Sequence, residues 1–399
     1  MSAHARMQDI DFLAPPIVQD WRRKSLIGGG VLAVLAIIGA ILNPLQAMHA
    51  YLLAFMLCLG LTLGSMGLLM LWHLSGGEWG QVFRRIFEAA ARTLPMMIVA
   101  FIPILIGLKA NYEWAGDLSR ASEHMRQLSS QYLRPSYFLL RAVLYFVGWW
   151  FLVHYLGKWS DLQDSPPDRS LGERFRKLSG AGLVFYAWAL TFASIDWVMS
   201  LSAPWPSSIF AFIFLVGEAL IAMAFAIVIA TWLVDRPPMS AVLKSRHFHD
   251  NGKLLLAFIM LWGWFSFSQW LIIWAGNLPE EIRWFADRIH GGWGVMALVI
   301  ILGHFCIPFS LLLSRGLKQN PHTLVWVAAW MILMRYLDLY WYIEPTWSKE
   351  EFYFHWTYVV VPAALFGLWL AYFFWNLARR PLVALHDPHL RAILGSEHE

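Results

Sequence analysis

The chain has 399 residues, of which 59% are hydrophobic and 14% charged, with a formal net charge of +4. A soluble domain carries about a quarter charged residues, so a soluble enzyme and a disordered chain are excluded. Apolar runs of about twenty residues, without strand-like alternation, also exclude an outer-membrane barrel.

Ten spans are predicted, over 26–42, 46–72, 93–110, 135–157, 179–200, 206–234, 253–276, 290–314, 321–343 and 356–378. The fold class is therefore an all-α polytopic membrane protein. The first span reads as a flanking helix rather than a cleavable signal, since a polar segment (1–25) precedes it and no small-residue cleavage site follows. Asn43-Pro44 makes a turn after it, Pro135 opens span 4, Pro204 and Pro206 mark the tip between spans 5 and 6, and Pro321 opens span 9. With the N-terminus in the cytoplasm, 21 Lys and Arg fall in inner segments and 7 in outer loops, while Arg141 and Arg335 lie within spans. The positive-inside rule then puts both termini in the cytoplasm. The 24 tryptophans fit aromatic belts at the two interfaces.

Two connecting segments have amphipathic spacing. In 78–92, Trp79, Val82, Phe83, Ile86 and Ala90 form an apolar stripe opposite Arg84, Arg85, Glu88 and Arg92, which predicts a helix lying on the membrane. In the outer loop Leu118, Ala121, Met125, Leu128 and Tyr132 repeat at three and four residues, as a face for lipid or a partner subunit.

A charged side chain at a span's centre costs about 2.5–3.5 kcal/mol on insertion scales. Each one within the spans therefore needs a reason. Glu218, in IFLVGEALIAMAF, has apolar neighbours on both sides near the predicted midplane. Burial there favours its protonated form, which suits a group that takes up and releases protons. The bland alternative is a permanently protonated hydrogen-bonding group. Arg335 and Asp338 are spaced i, i+3 and share a face of span 9. They read either as a fixed pair or as a pair that opens when a proton arrives. Asp196 has no local cation, and Arg141 in span 4 lies at a similar outer depth. Glu344 sits close enough to the outer surface to be solvated. His304 is the one histidine deep in a span, too few for a bis-histidine haem, and Pro308 after it loosens the helix. His154 and His73 lie near inner ends, His49 and His355 near outer ends. Lys253 begins span 7, as a snorkelling or pathway group. Ser266, Ser268 and Gln269 either bind helices together or line a wet path. The two cysteines, Cys58 and Cys306, lie in apolar runs, and no CxxCH, metal box, nucleotide loop or catalytic triad is present. Glu218, His304, Asp338, Arg335, Asp196, Arg141, His154 and Lys253 thus form a graded ladder of ionisable groups suited to moving protons.

The strings FHDNGKLLLAFIMLWGWFSFSQWLIIWAGNLPEE (248–281), SIDWVMSLSAPWPSSIF (194–210), GHFCIPFSLLLSR (303–315), LDLYWYIEP (337–345) and RPLVALHDP (380–388) resemble a ten-helix membrane subunit of bacterial alternative complex III. That complex is a quinol:cytochrome c, or quinol:electron acceptor, oxidoreductase. Its two paralogous ten-helix subunits are related to the polysulfide-reductase membrane anchors of NrfD type, and this chain is similar in length to the shorter F subunit. The resemblance implies two four-helix bundles (spans 2–5, within 46–200, and spans 6–9, within 206–343), flanked by spans 1 and 10. It also implies an inner-membrane location, proton half-channels, and a quinol or menaquinol substrate for the complex. Haem c and iron–sulfur clusters would sit on partner subunits, beside a paralogous quinol-binding subunit, lipids and an associated terminal oxidase. No nucleic acid is implied. By position, Asp196 falls in the family string SxDW, Asp338 in DLYW and His304 in GHFxxP. One departure stands out: after DWVMSL the family pattern carries an acidic residue and a histidine, as in SLEPHW, where this chain has Ser202, Ala203 and Pro204.

The expected function is a proton-coupling subunit without a redox cofactor of its own. The alternatives are a quinol-binding subunit of the same complex and a secondary transporter built on ten spans with buried carboxylates. The transporter reading lacks paired Gly/Pro-broken helices in the two halves.

Overall fold

The computed structural model describes residues 12–119, 122–164 and 170–383. Among them ten helices are long and apolar enough to cross a bilayer, and there is no strand. They are α1 (Ile17–Leu42), α2 (Pro44–Ser75), α3 (Arg84–Ile106), α4 (Pro135–Gln163), α5 (Leu171–Ser202), α6 (Phe210–Leu233), α7 (Ser245–Gly276), α8 (Trp293–Leu313), α9 (Pro321–Thr346) and α10 (Thr357–Ala378). Number and order match the predicted spans, but α1, α5 and α7 begin at 17, 171 and 245 rather than at 26, 179 and 253. Backbone hydrogen bonds carry a helix past the point where hydropathy falls, so composition reads the membrane's edge and not the helix's. The tail from 384 onward and Ala121 lie outside the described residues.

Two helices form the axis of the molecule. Every residue from 52 to 70 of α2 is buried, and most of α6 is too. α2 packs on α3, α5, α6 and α10, while α6 packs on α5, α7 and α9. α4 rests on α3 and α5, α8 on α7 and α9, and α1 lies outside against α10. In lipid, helices associate through close packing of small residues and through hydrogen bonds rather than through hydrophobicity. α2 supplies the small surface with Gly60 and Gly64, one turn apart. A Cβ on Gly64 would lie 2.0 Å from the carbonyl oxygen of Glu218 in α6, so the two backbones touch there. The hydrogen bonds include a three-helix lock: Trp369 Nε1 of α10 donates to Thr62 Oγ1 of α2 (3.0 Å), which shares a bond of 2.7 Å with Thr93 of α3.

Prolines set the irregular helices. Pro95 and Pro103 each remove a backbone donor from α3, and the helix is interrupted by turns at residues 92–93 and 101. In α8, Pro308 cannot donate to the carbonyl four residues back, that of His304, and the preceding stretch Ile301–Cys306 is a π-helix. Trp330 Nε1 of α9 donates to the loosened carbonyl of Gly303 at 2.8 Å. The first and last described residues come together: Leu13 bridges Pro381, and Leu382 N donates to the carbonyl of Phe12 at 2.8 Å.

Both amphipathic segments pack differently from expectation. The stretch 84–92 is not a helix on the membrane with its charges in water; it is the first part of α3, and Arg84, Arg85 and Glu88 are all buried. Arg84 Nε and Arg85 Nη1 donate to Glu88 at 2.6 and 2.9 Å, and the Ser160 hydroxyl from α4 donates to it at 2.7 Å. The arginines faced a carboxylate on their own helix, and packing against α2 and α10 left no water-facing side. In the outer loop the stripe of the helix Glu123–Gln131 and its flanks turns onto the chain itself: Met125 is buried, while Leu118, Leu128 and Tyr132, partly buried, pack on the core.

Candidate functional site

At the middle of the bilayer the chain brings ionisable groups from three helices to one level. Counting about 1.5 Å per residue, Tyr186 lies about 22 Å from the start of α5, Arg335 about 21 Å from the start of α9, and Glu218 about 22 Å from the end of α6. All three helix ends lie on the N-terminal side. Glu218 is 2% exposed, and Tyr186 OH donates to its Oε2 at 3.1 Å. Its Oε1 has no hydrogen-bond partner among the described residues. On the other flank the guanidinium of Arg335 lies against Gly217, where a Cβ would meet its Cζ at 2.4 Å. Glycine at 217 thus makes room for a cation beside Glu218, which is within the reach of its field. The same guanidinium sits 5.2 Å from the centroid of Phe214 and donates through Nη1 to Asp338 Oδ2. Asp338 is 1% exposed, and its Oδ1 is unpartnered among the described residues.

The i, i+3 spacing of Arg335 and Asp338 therefore yields a contact, and the tertiary fold adds Glu218 to it. The guanidinium is bonded to Asp338 and packs beside the residue that carries the second carboxylate, Glu218. His304 stands at the edge of this junction on the π-helical turn. Its ring packs on Trp262 with centroids 4.0 Å apart, and neither ring nitrogen has a partner among the described residues.

Asp338 also faces a cleft of about 800 Å³ on the flank between α7 and α8, roofed by the outer helix Pro279–Ile289. Trp264, Phe267 and Ile301, which are among the cleft's lining residues, are exposed on the lipid-facing surface. Apart from indole N–H groups its polar side chains are few, among them Asp338, Ser266, Tyr342 and Gln269, the last accepting a hydrogen bond from Ser207. A continuous series of contacts and short-range fields thus runs from a lipid-accessible cleft through Asp338 and Arg335 to Glu218 and Tyr186.

The other sequence candidates lie elsewhere. Arg141 does pair with Asp196, through two bonds of 2.8 Å, and Tyr145 OH adds a third at 2.9 Å. Both carboxylate oxygens are bonded, which is the geometry of a fixed pair. His154 is not part of the ladder: it stands on the exposed face of α4, stacked on Trp150, because α4 turns Trp149, Leu152, Val153 and Leu156 inward instead. Lys253 is likewise outside, 56% exposed and 3.3 Å from Asp250. Glu344 is not solvated. It is 0% exposed, with Tyr358 OH and Ser348 OH both donating to it, because α10 and the loop before it fold over the end of α9.

Three features escaped the sequence reading. Tyr186 had no signal, as one of many aromatics in apolar spans. The Glu88 cluster was encoded at i, i+4 and i, i+3 spacing but was assigned to water. Arg288, on the outer helix, is 1% exposed with its guanidinium 3.7 Å over Trp284, donating to the carbonyls of Trp284 (3.1 Å) and Tyr342 (2.8 Å). It forms no ion pair among the described residues. Burial pushes it down to about 9, which leaves it charged at neutral pH. Its Nη2 lies 3.5 Å from Ser202 Oγ.

No protein-family model matches the chain, and no curated protein matches it. Among the described residues there is no group of three or more His, Cys, Asp or Glu able to hold a metal ion.

Proposed function

We propose that this chain is a membrane subunit of a respiratory quinol:electron acceptor oxidoreductase of the alternative complex III kind, passing protons through its mid-membrane junction while redox cofactors sit on partner subunits. The observation that carries this reading is a buried guanidinium, Arg335, paired with the buried Asp338 and packed against Gly217 beside the buried Glu218, whose Oε1 has no hydrogen-bond partner among the described residues. A proton arriving at one carboxylate weakens its hold on Arg335, and the guanidinium then favours the ionised form of the other. This alternation needs only small movements of one flexible side chain. On this reading the N-terminal side faces the bacterial cytoplasm, as the Lys/Arg distribution supports.

The test is proton translocation per electron in liposomes holding the whole complex, comparing wild type with Glu218→Gln and Asp338→Asn. Lost translocation with retained assembly and retained quinol oxidation is the expected result. Unchanged translocation in both variants rejects proton coupling and leaves the chain a scaffold.

A second reading within the same complex, quinol binding by this chain, is favoured by the lipid-accessible aromatic cleft with Asp338 at its inner end. A quinol headgroup there would have a carboxylate to receive its proton. Asp338→Asn and Gln269→Leu would then lower quinol affinity itself, whereas Glu218→Gln would not.

A further inference from the structure

On the N-terminal side, the ends of α1, α6, α9 and α10 enclose a groove of about 770 Å³, a volume in the range of small-molecule sites. Its walls are apolar and aromatic, with Trp21, Trp232, Trp326 and Phe374 among them. Trp326 is 76% exposed, so the groove opens toward lipid. Two cations stand at the same groove: Lys24 on α1 and Arg236 just after α6. Lys24 has no ion pair among the described residues. Arg236 uses one donor on the carbonyl of Trp232 at 2.7 Å and lies 5.4 Å from the centroid of Trp21, leaving its remaining N–H groups without an acceptor among the described residues. The one acidic group, Asp235, has His322 as its neighbour, with Nε2 3.8 Å from Oδ2. The groove therefore combines an apolar wall, interfacial tryptophans and a surplus of positive charge at the level where a bilayer holds its phosphates.

We propose that this groove binds one anionic phospholipid, its phosphate held by Lys24 and Arg236 and an acyl chain lying against Trp232 and Trp326. The net positive charge matches a headgroup carrying one negative charge. Zwitterionic headgroups bring an ammonium that two unpaired cations repel. The site lies at the inner ends of helices whose middles carry the mid-membrane junction, shares no residue with it, and does not depend on the role assigned to it.

The test is native mass spectrometry of the purified full chain after incubation with equimolar phosphatidylglycerol and phosphatidylcholine of matched acyl chains. Wild type should retain one phosphatidylglycerol in preference to phosphatidylcholine. Basic residues near a membrane surface contribute about fivefold each in affinity, so Lys24→Gln with Arg236→Gln should weaken phosphatidylglycerol retention about thirtyfold. Lys24→Glu alone, at an exposed residue with no protein partner, should weaken it without disturbing the fold. Lys158→Gln with Arg176→Gln, which removes two exposed cations elsewhere on the same side, should leave it unchanged. Equal retention of both lipids by wild type overturns the proposal and needs no variant to read. Undiminished retention in the Lys24 and Arg236 variants, or an equal loss in the Lys158 and Arg176 variant, also overturns it.

Discussion

Replacing Gly64 by Ala adds a single methyl group where α2 and α6 touch. The new Cβ would lie 2.0 Å from the carbonyl oxygen of Glu218 and 2.5 Å from its carbonyl carbon. Ordinary contact needs about 3.4 Å, so the helices must part locally by about 1.4 Å, and the obstacle is backbone, which no rotamer change can move. A gap of even about 0.5–1 Å forfeits a quarter to a half of a dispersion contact, and this interface is the most buried in the molecule. Overpacking of this kind costs about 3 kcal/mol, against a gain of about 1 kcal/mol from the higher helix propensity of alanine. The net expectation is destabilisation by about 2 kcal/mol. The matched control is Gly30→Ala on α1, where nothing lies within 4 Å of the added methyl and only the propensity gain remains. Thermal unfolding of the two purified variants, followed by tryptophan fluorescence in one detergent, separates the effects. A Gly64→Ala midpoint equal to or above that of Gly30→Ala would refute the close α2–α6 contact.

Arg141→Leu should destabilise by about 3–5 kcal/mol, because it strands the buried carboxylate of Asp196, and a double change of Arg141→Leu with Asp196→Leu should recover most of the loss in a thermal-melt cycle. Ser202→Glu should raise the melting midpoint by a few degrees by giving Arg288 the carboxylate it lacks, through a charge-assisted bond of about 1.5–3 kcal/mol; a lowered midpoint would count against the unpaired guanidinium. Pro308→Ala should let α8 regain the missing donor to the carbonyl of His304, and hydrogen exchange across residues 301–308 should slow. Glu88→Gln should destabilise the inner end of α3, since Arg84 and Arg85 keep their charge without the carboxylate between them, and limited proteolysis near residues 78–92 should become faster.

Much of the fold can be read from composition and spacing. Ten apolar runs become ten helices in order, because a bilayer forces every backbone group in a span to pair within its own segment. The pairing of Arg335 with Asp338 follows from helical periodicity alone, and the disturbance at His304 follows from a proline four residues on. Partners on other helices are a different matter. Nothing near Glu218 in sequence points to Tyr186 or Arg335, and nothing near Glu344 points to Tyr358. The charges of 84–92 were visible, but their burial was not, since a charged face reads as water-facing until another helix covers it.

The central position of α2 and the peripheral position of α1 mark the boundary between the two kinds of knowledge. In its most apolar stretch α1 is at least as apolar as α2, yet α2 is buried along its length while Val31, Val34, Ile37 and Ile41 of α1 face outward. Hydropathy reports that a segment leaves water. It cannot distinguish lipid from protein as the new surroundings, because both are apolar. That choice is made by shape, by where glycines let backbones approach and where a buried carboxylate meets a hydroxyl from another helix, and shape exists only once the helices have packed.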